Sequence, residues 1–160
     1  MKKVCTLIFG AALLAMSPAV SYAAGSSSDD TSSKPSVKDN YRSAVRAVEA
    51  KDYRKAISLL NMVIDEKPRH PDALNYLGFS HRKLGDYSRG VAYYKKALSL
   101  EAEHKGANEY LGQAYVELGN MAGAEQQLSK LEEICGTDCD EYESLKEAID
   151  AAKARAAKQG

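Results

Sequence analysis

No block of Lys or Arg in this chain is long enough to track a phosphate backbone, and its charges balance, 22 basic against 22 acidic side chains in 160 residues. Affinity for nucleic acid comes largely from clustered cations, so that class of partner is excluded. The motifs of catalysis are missing as well. There is no Gly-rich phosphate loop, no nucleophile elbow and no paired His motif on one helix face, which leaves no reaction class with an obvious seat. Long apolar runs are absent too. The stretch from Val4 to Val20 falls short of the about 20 residues a membrane span wants, and Gly10 and Pro18 interrupt it. Runs rich in β-formers are few. From Val37 to Gly160, Gly and Pro fall at boundaries and apolar residues recur three and four apart, which predicts an all-α domain.

The amino terminus reads as an export signal over residues 1–23. Lys2 and Lys3 give a positive start, Leu7 to Ala15 is uncharged and apolar, and Ser21-Tyr22-Ala23 offers small residues to a signal peptidase. Cleavage is expected after Ala23, with an uncleaved anchor as the rival. Cys5 precedes the apolar core instead of marking a cleavage point, which sets a lipoprotein aside. Loss of Lys2 and Lys3 leaves 20 basic against 22 acidic side chains, in a periplasmic or secreted protein with no membrane contact. Residues 24–36 are Ser-rich and almost without apolar side chains. They cannot bury enough to offset their ordering entropy and read as a disordered leader.

Of three cysteines, the mature chain keeps Cys135 and Cys139. An oxidising compartment makes a disulfide the default. Residues four apart on a continuous helix hold their β-carbons about 5–6 Å apart, whereas a disulfide wants about 3.5–4.5 Å. The helix must therefore stop between them, and Gly136 is a suitable stop. A redox role for the pair is the enzymatic alternative, although no strand–helix alternation frames it. Two thiols alone do not complete a zinc shell, and no metal or cofactor is expected. His70 and His104 occupy equivalent junctions and His81 lies near a helix pair, so surface or capping roles are expected for all three.

What the sequence does contain is a period of 34 residues. Ala50-Lys51-Asp52-Tyr53 recurs as Leu84-Gly85-Asp86-Tyr87 and as Leu118-Gly119-Asn120-Met121. Such a period signals stacked helical units that bury their faces against one another. The spacing predicts helix pairs Val37 to Ala50 with Tyr53 to Glu66, Pro71 to Leu84 with Tyr87 to Leu100, and Lys105 to Leu118 with Met121 to Ile134. A seventh helix follows from Asp140 to Ala157, with Asp138 and Glu141 spaced as a capping box. Small residues fall where helices approach, Gly78 and Gly112 matching Ala44, and Gly90 matching Ala56 and Ala124. The expected core is Leu60, Val63, Leu74, Leu77, Tyr94, Ala97, Leu111, Tyr115, Leu128 and Leu131. Tyr142, Leu145, Ile149 and Ala152 form the apolar stripe of the last helix.

These residues resemble a tetratricopeptide-repeat protein. The second repeat carries the closest pattern, in Leu74, Leu77-Gly78, Leu84-Gly85-Asp86-Tyr87, Gly90, Tyr94 and Ala97. The third adds Tyr110-Leu111-Gly112, Tyr115, Leu118-Gly119-Asn120, Ala124 and Leu128. Asn40 and Asn108 depart from the pattern, and the first repeat is the loosest match, its leading helix prone to fray. The resemblance implies a right-handed α-solenoid of about seven helices, with repeats at 37–70, 71–104 and 105–138 and a capping helix at 139–160. It also implies a concave groove that receives a peptide or partner helix, lined by Tyr41, Val45, Asn75, Phe79, Arg82, Glu109, Gln113 and Val116. In that groove Phe79 is the sharpest candidate, and Arg82 is placed to pair with a ligand carboxylate. A cationic ring for a partner's terminal carboxylate is disfavoured, because Glu109, Gln113 and Glu117 line the third repeat. The expectation is a non-enzymatic adaptor for another protein; the rivals are the redox pair and a self-assembling structural component.

Overall fold

The computed structural model describes residues 34–158. The expected signal peptide and most of the expected leader lie outside the described residues. Seven helices follow one another, α1 (Val37–Glu49), α2 (Tyr53–Glu66), α3 (Pro71–Lys83), α4 (Tyr87–Leu100), α5 (Lys105–Glu117), α6 (Met121–Cys135) and α7 (Asp140–Ala157). No strand occurs among the described residues. None of these helices is long and apolar enough to cross a membrane.

Local chemistry sets the helix ends. Asp52, Asp86 and Asn120, which recur with the period, accept the backbone N–H of Lys55, Arg89 and Gly123 and so cap α2, α4 and α6. The first helices use other caps. Ser36 Oγ accepts from Asp39 N at 3.2 Å and so caps the start of α1, the helix expected to fray. His70 and His104 cap α3 and α5, their Nδ1 atoms accepting from Ala73 N at 3.3 Å and Ala107 N at 3.2 Å. Accepting at Nδ1 leaves the hydrogen on Nε2, and in His104 that atom lies 3.2 Å from Asp72 Oδ1 in the first turn of α3. The capping box expected at α7 does not form. Its N-cap is Cys139 with no side-chain bond, one residue beyond Asp138, and the charges of Asp140, Glu141 and Glu143 oppose the helix dipole instead.

Between the helices of each pair the chain reverses through a left-handed residue, Lys51 (φ 60°), Gly85 (φ 85°) or Gly119 (φ 73°). Lys51 alone among the described residues adopts this conformation with a side chain. A β-carbon there costs roughly 1 kcal/mol. Lys51→Gly is accordingly expected to stabilise the protein by up to about 1 kcal/mol, read as a higher urea midpoint at unchanged slope.

Each pair packs on the next. Ala44, Ala47, Ala56, Leu60, Val63, Ala73 and Leu77 join α1, α2 and α3 in one buried cluster. Leu74, Ala97 and Ala107 continue it, as do Tyr94, Leu111 and Ala114. Full burial of one such leucine stabilises by about 1.5–3 kcal/mol. At the far end Leu145 and Ile149 of α7 close over Ala124 and Leu131, so α7 covers the third repeat as expected. Two expected core residues, Tyr115 and Leu128, are only half-buried. For Leu128 the cause lies at Gly112. In the second repeat Tyr94 of the second helix covers Gly78, whereas Leu145 of α7 covers Gly112, leaving Leu128 less enclosed.

Cys135 and Cys139 are joined by a disulfide, with their Cα atoms 6.0 Å apart. α6 ends between them, Gly136 adopting φ 78°. The bond therefore ties the end of α6 to the start of α7. By loop entropy alone its five-residue ring stabilises by about 2 kcal/mol.

Candidate protein-binding groove

The curvature of the stack follows from which helices meet. α1 touches α3, α3 touches α5 and α5 touches α7, whereas α2, α4 and α6 do not touch one another among the described residues. The first helices therefore crowd the inner side. Residues 34 apart form rungs across it, Tyr41–Asn75–Glu109, Val45–Phe79–Gln113 and Val48–Arg82–Val116.

The rungs differ in what they present. Tyr41, Val45, Phe79, Gln113 and Val116 are half-buried and reach the surface. Tyr41 stacks on His70 with ring centres 4.8 Å apart, and burial, aided by the Asp72 carboxylate, pushes its hydroxyl pKa up to about 12. Phe79 packs beside Tyr110 at 4.9 Å and Tyr53 at 6.1 Å. The Lys83 ammonium lies 5.2 Å from the Phe79 ring centre and makes no salt bridge among the described residues. Phe79 thus belongs both to the stack and to its inner surface.

Asn75, Arg82 and Glu109 are instead buried. Arg82 is 5% exposed, and its guanidinium donates from Nη1 to Glu117 Oε1 at 2.9 Å and from Nη2 to Gln113 Oε1 at 2.8 Å. It also lies 5.6 Å from the centre of Phe79 and 5.7 Å from that of Tyr110. Its expected pairing with a ligand carboxylate is pre-empted by Glu117 of the same chain. The network continues inward. Gln113 Nε2 donates to Glu109 Oε1 at 2.9 Å and to Ser144 Oγ at 3.1 Å, and Ser144 Oγ donates to Glu109 Oε1 at 2.7 Å. α3, α5 and α7 are thereby tied across the third repeat. A small cleft remains beside them, with Val116, Ala148, Ala151 and Arg155 among its lining residues.

Burial raises the Glu109 pKa above its ordinary 4.5, against the bonds from Ser144 and Gln113 that favour the carboxylate. The fold thus holds the proton more tightly than the unfolded chain does. This contribution is fully present below the unfolded value and is lost as pH rises through the folded one. Glu109→Gln keeps an acceptor without the charge. Its stability relative to the unsubstituted protein is expected to improve as pH is raised from about 4 to about 7, read from urea unfolding at each pH. An equal difference at all pH values would contradict the assignment.

Sequence reasoning missed Val48, Tyr53, Lys83 and Tyr110. Val48 was available from the period, since it stands 34 residues before Arg82, and Lys83 from its place one turn after Phe79. Tyr53 carries no such signal, because its approach to Phe79 crosses from a second helix to the next first helix. Near the disulfide, the Glu141 carboxylate lies within 4.8 Å of both sulfurs. Bonded to each other, the sulfurs are not the thiolates that a metal requires.

A tetratricopeptide-repeat family model matches residues 81–149. That match spans less than half of the chain, and the period and paired helices are consistent with a tetratricopeptide-repeat protein. Solved structures share the fold at low identity. The Sgt2 domain of Aspergillus fumigatus is 21% identical over 79% of this chain and 84% of its own, with a TM-score of 0.67. The Yersinia enterocolitica type III secretion chaperone SycD, in complex with a peptide of the translocator YopD, is 15% identical over 77% and 96%, at 0.67. The first such domain of Spaghetti (RPAP3), bound to the HSP90 peptide SRMEEVD, is 16% identical over 74% and 93%, at 0.66. A search of curated protein sequences finds no match.

Proposed function

We propose that the protein is a non-enzymatic interaction module that holds a peptide or helix of a partner protein against its inner face. The observation that carries this reading is Phe79, a half-exposed ring on that face, beside the Lys83 ammonium, which makes no salt bridge among the described residues. Tyr41 and Val45 extend the same surface across α1. Similar folds bound to peptides of HSP90 and of YopD support the choice of ligand class. The usable groove lies over the first two repeats, since Arg82, Gln113 and Glu109 are engaged with one another beyond it. We place the protein in the periplasm or outside the cell, on the strength of its amino-terminal sequence. Recovery of a natural form beginning at Ala24 would support that placement, and recovery of intact residues 1–23 would overturn cleavage.

The test of the groove is capture from envelope extract by the chain from Ala24 onward, beside a Val45→Glu, Lys83→Glu variant of equal thermal stability. The protein retained is then purified and titrated against both. A loss of affinity of about tenfold or more, equivalent to 1.4 kcal/mol, is expected for the variant. Equal affinity would remove the groove assignment.

A further inference from the structure

The zero net charge conceals a division. Residues 34–100, which form α1 to α4, carry 14 Lys and Arg against 7 Asp and Glu, a net charge of +7. Residues 101–158, which form α5 to α7, carry 6 against 13, a net charge of −7. Because each helix pair stacks on its predecessor, this division in sequence becomes a separation in space. One end of the stack is basic and the other acidic.

The two terminal helices express it on open faces. α7 packs on α5 and α6 only, and the face opposite its buried Leu145 and Ile149 has no neighbour among the described residues. Asp140, Glu143, Glu147 and Asp150 are all exposed, and their spacing of three, four and three aligns them along that face. Lys146 is the one cation between them and pairs with Asp150, leaving Glu143 and Glu147 without a cation among the described residues. At the other end α1 packs on α2 and α3 and on no other helix among the described residues. Lys38, Arg42 and Arg46 lie on the face away from its buried Ala44 and are all exposed, outnumbering the exposed Asp39 and Glu49 beside them. Arg42 has only an exposed contact with Asp39 at 3.7 Å, and Arg46 donates to the neutral Ser43. Such an exposed contact holds a cation weakly.

We propose that the acidic outer face of α7 docks on the basic outer face of α1 of a second copy, so that molecules join head to tail. The Glu143–Glu147 pair and the Arg42–Arg46 pair share the same four-residue spacing on outward helix faces, so two ion pairs can form along one line. An overall charge of zero in the full chain and −2 in the form beginning at Ala24 leaves little repulsion between copies, and opposite ends steer them into line. The interface is heterologous: the acceptor face of each added copy leaves its own acidic face free. Association therefore continues into short chains and does not stop at a closed dimer. This surface is separate from the inner face, and a partner in the groove neither requires nor blocks it.

Sedimentation velocity over a concentration series tests the proposal, on the full chain and in parallel on the form beginning at Ala24. At about 20 mM salt the weight-average sedimentation coefficient should rise with concentration, and at about 300 mM the association should weaken at least about tenfold. Arg42→Glu/Arg46→Glu and Glu143→Lys/Glu147→Lys should each be monomeric under the low-salt conditions. All four substitutions in one chain restore opposite ends at unchanged net charge, and association should return. Far-UV circular dichroism checks that each variant keeps its helices. A strict monomer at low salt would overturn the proposal, as would association indifferent to salt or to the end-face reversals, or a fourfold variant that stays monomeric.

Discussion

Gly78→Ala destabilises the protein by about 1–3 kcal/mol in urea unfolding, although alanine is the better helix former by about 0.5–1 kcal/mol. A β-carbon at Gly78 would lie 2.6 Å from Tyr94 Cε1 and 2.7 Å from Cδ1, far inside contact distance. Tyr94 cannot retreat. It is wholly buried, with Tyr110 at 6.2 Å on one side and the Arg82 guanidinium near its hydroxyl. Gly90 approaches from α4 so closely that a β-carbon there would meet the Gly78 carbonyl at 3.2 Å, so the helices cannot separate locally without losing that fit. The protein contains its own control. Ala44 and Leu60 hold the corresponding positions 34 residues earlier, and both are wholly buried. Gly78→Ala combined with Tyr94→Leu copies that solution into the second repeat. The pair should therefore be less destabilised than the sum of its single changes, a coupling of about 0.5–3 kcal/mol. Additive losses would show that the ring does not set the limit at Gly78.

The same period that supplies this control made the fold readable. Recurrent Asp52, Asp86 and Asn120 mark three helix starts, and the left-handed positions at Lys51, Gly85 and Gly119 mark the preceding reversals. Each is a local backbone requirement, so one sequence suffices to reveal it. The inner face was harder. Position in the repeat identified the helix face on which Asn75, Arg82 and Glu109 lie, but not that they would be buried there. For Glu109 that burial comes with Ser144 and the packing of α7 on α5, a contact between residues 35 apart in sequence. Leu128 failed for the same reason, because Leu145 occupies the place over Gly112 that the period assigns to the second helix. The capping box at Asp138 did not form, because α7 starts one residue later at the disulfide-bonded Cys139, which offers no side-chain cap. Charge misled differently. A balanced total is an average: the sequence divides into halves of opposite sign, and the order of the helices along the stack turns that division into two opposite ends.

Arg82→Met should be the second costly change, lowering stability by about 2 kcal/mol. Loss of one member of a fully buried pair costs about 3–5 kcal/mol, but Glu117 is 36% exposed by its side chain and can turn toward water, which reduces the figure. Gln113 is less free. Its amide oxygen loses the Arg82 donor while its nitrogen remains bound to Glu109 and Ser144, so the loss should reach α7. Arg82→Lys should rescue little, since one ammonium cannot reproduce both bonds of the planar fork and its contacts with Phe79 and Tyr110. Adding Glu117→Gln to Arg82→Met should recover part of the loss by removing the abandoned charge. Urea unfolding of the four combinations measures the coupling, and hydrogen exchange in α7 reports whether the disturbance travels through Gln113. A loss confined to α3, with α7 protection unchanged, would show that the network is a string of separate contacts. The distinction decides how the groove can be probed. An Arg82 variant weakens the scaffold before it informs on a ligand, whereas Val45 and Lys83 reach the inner surface without sharing that network.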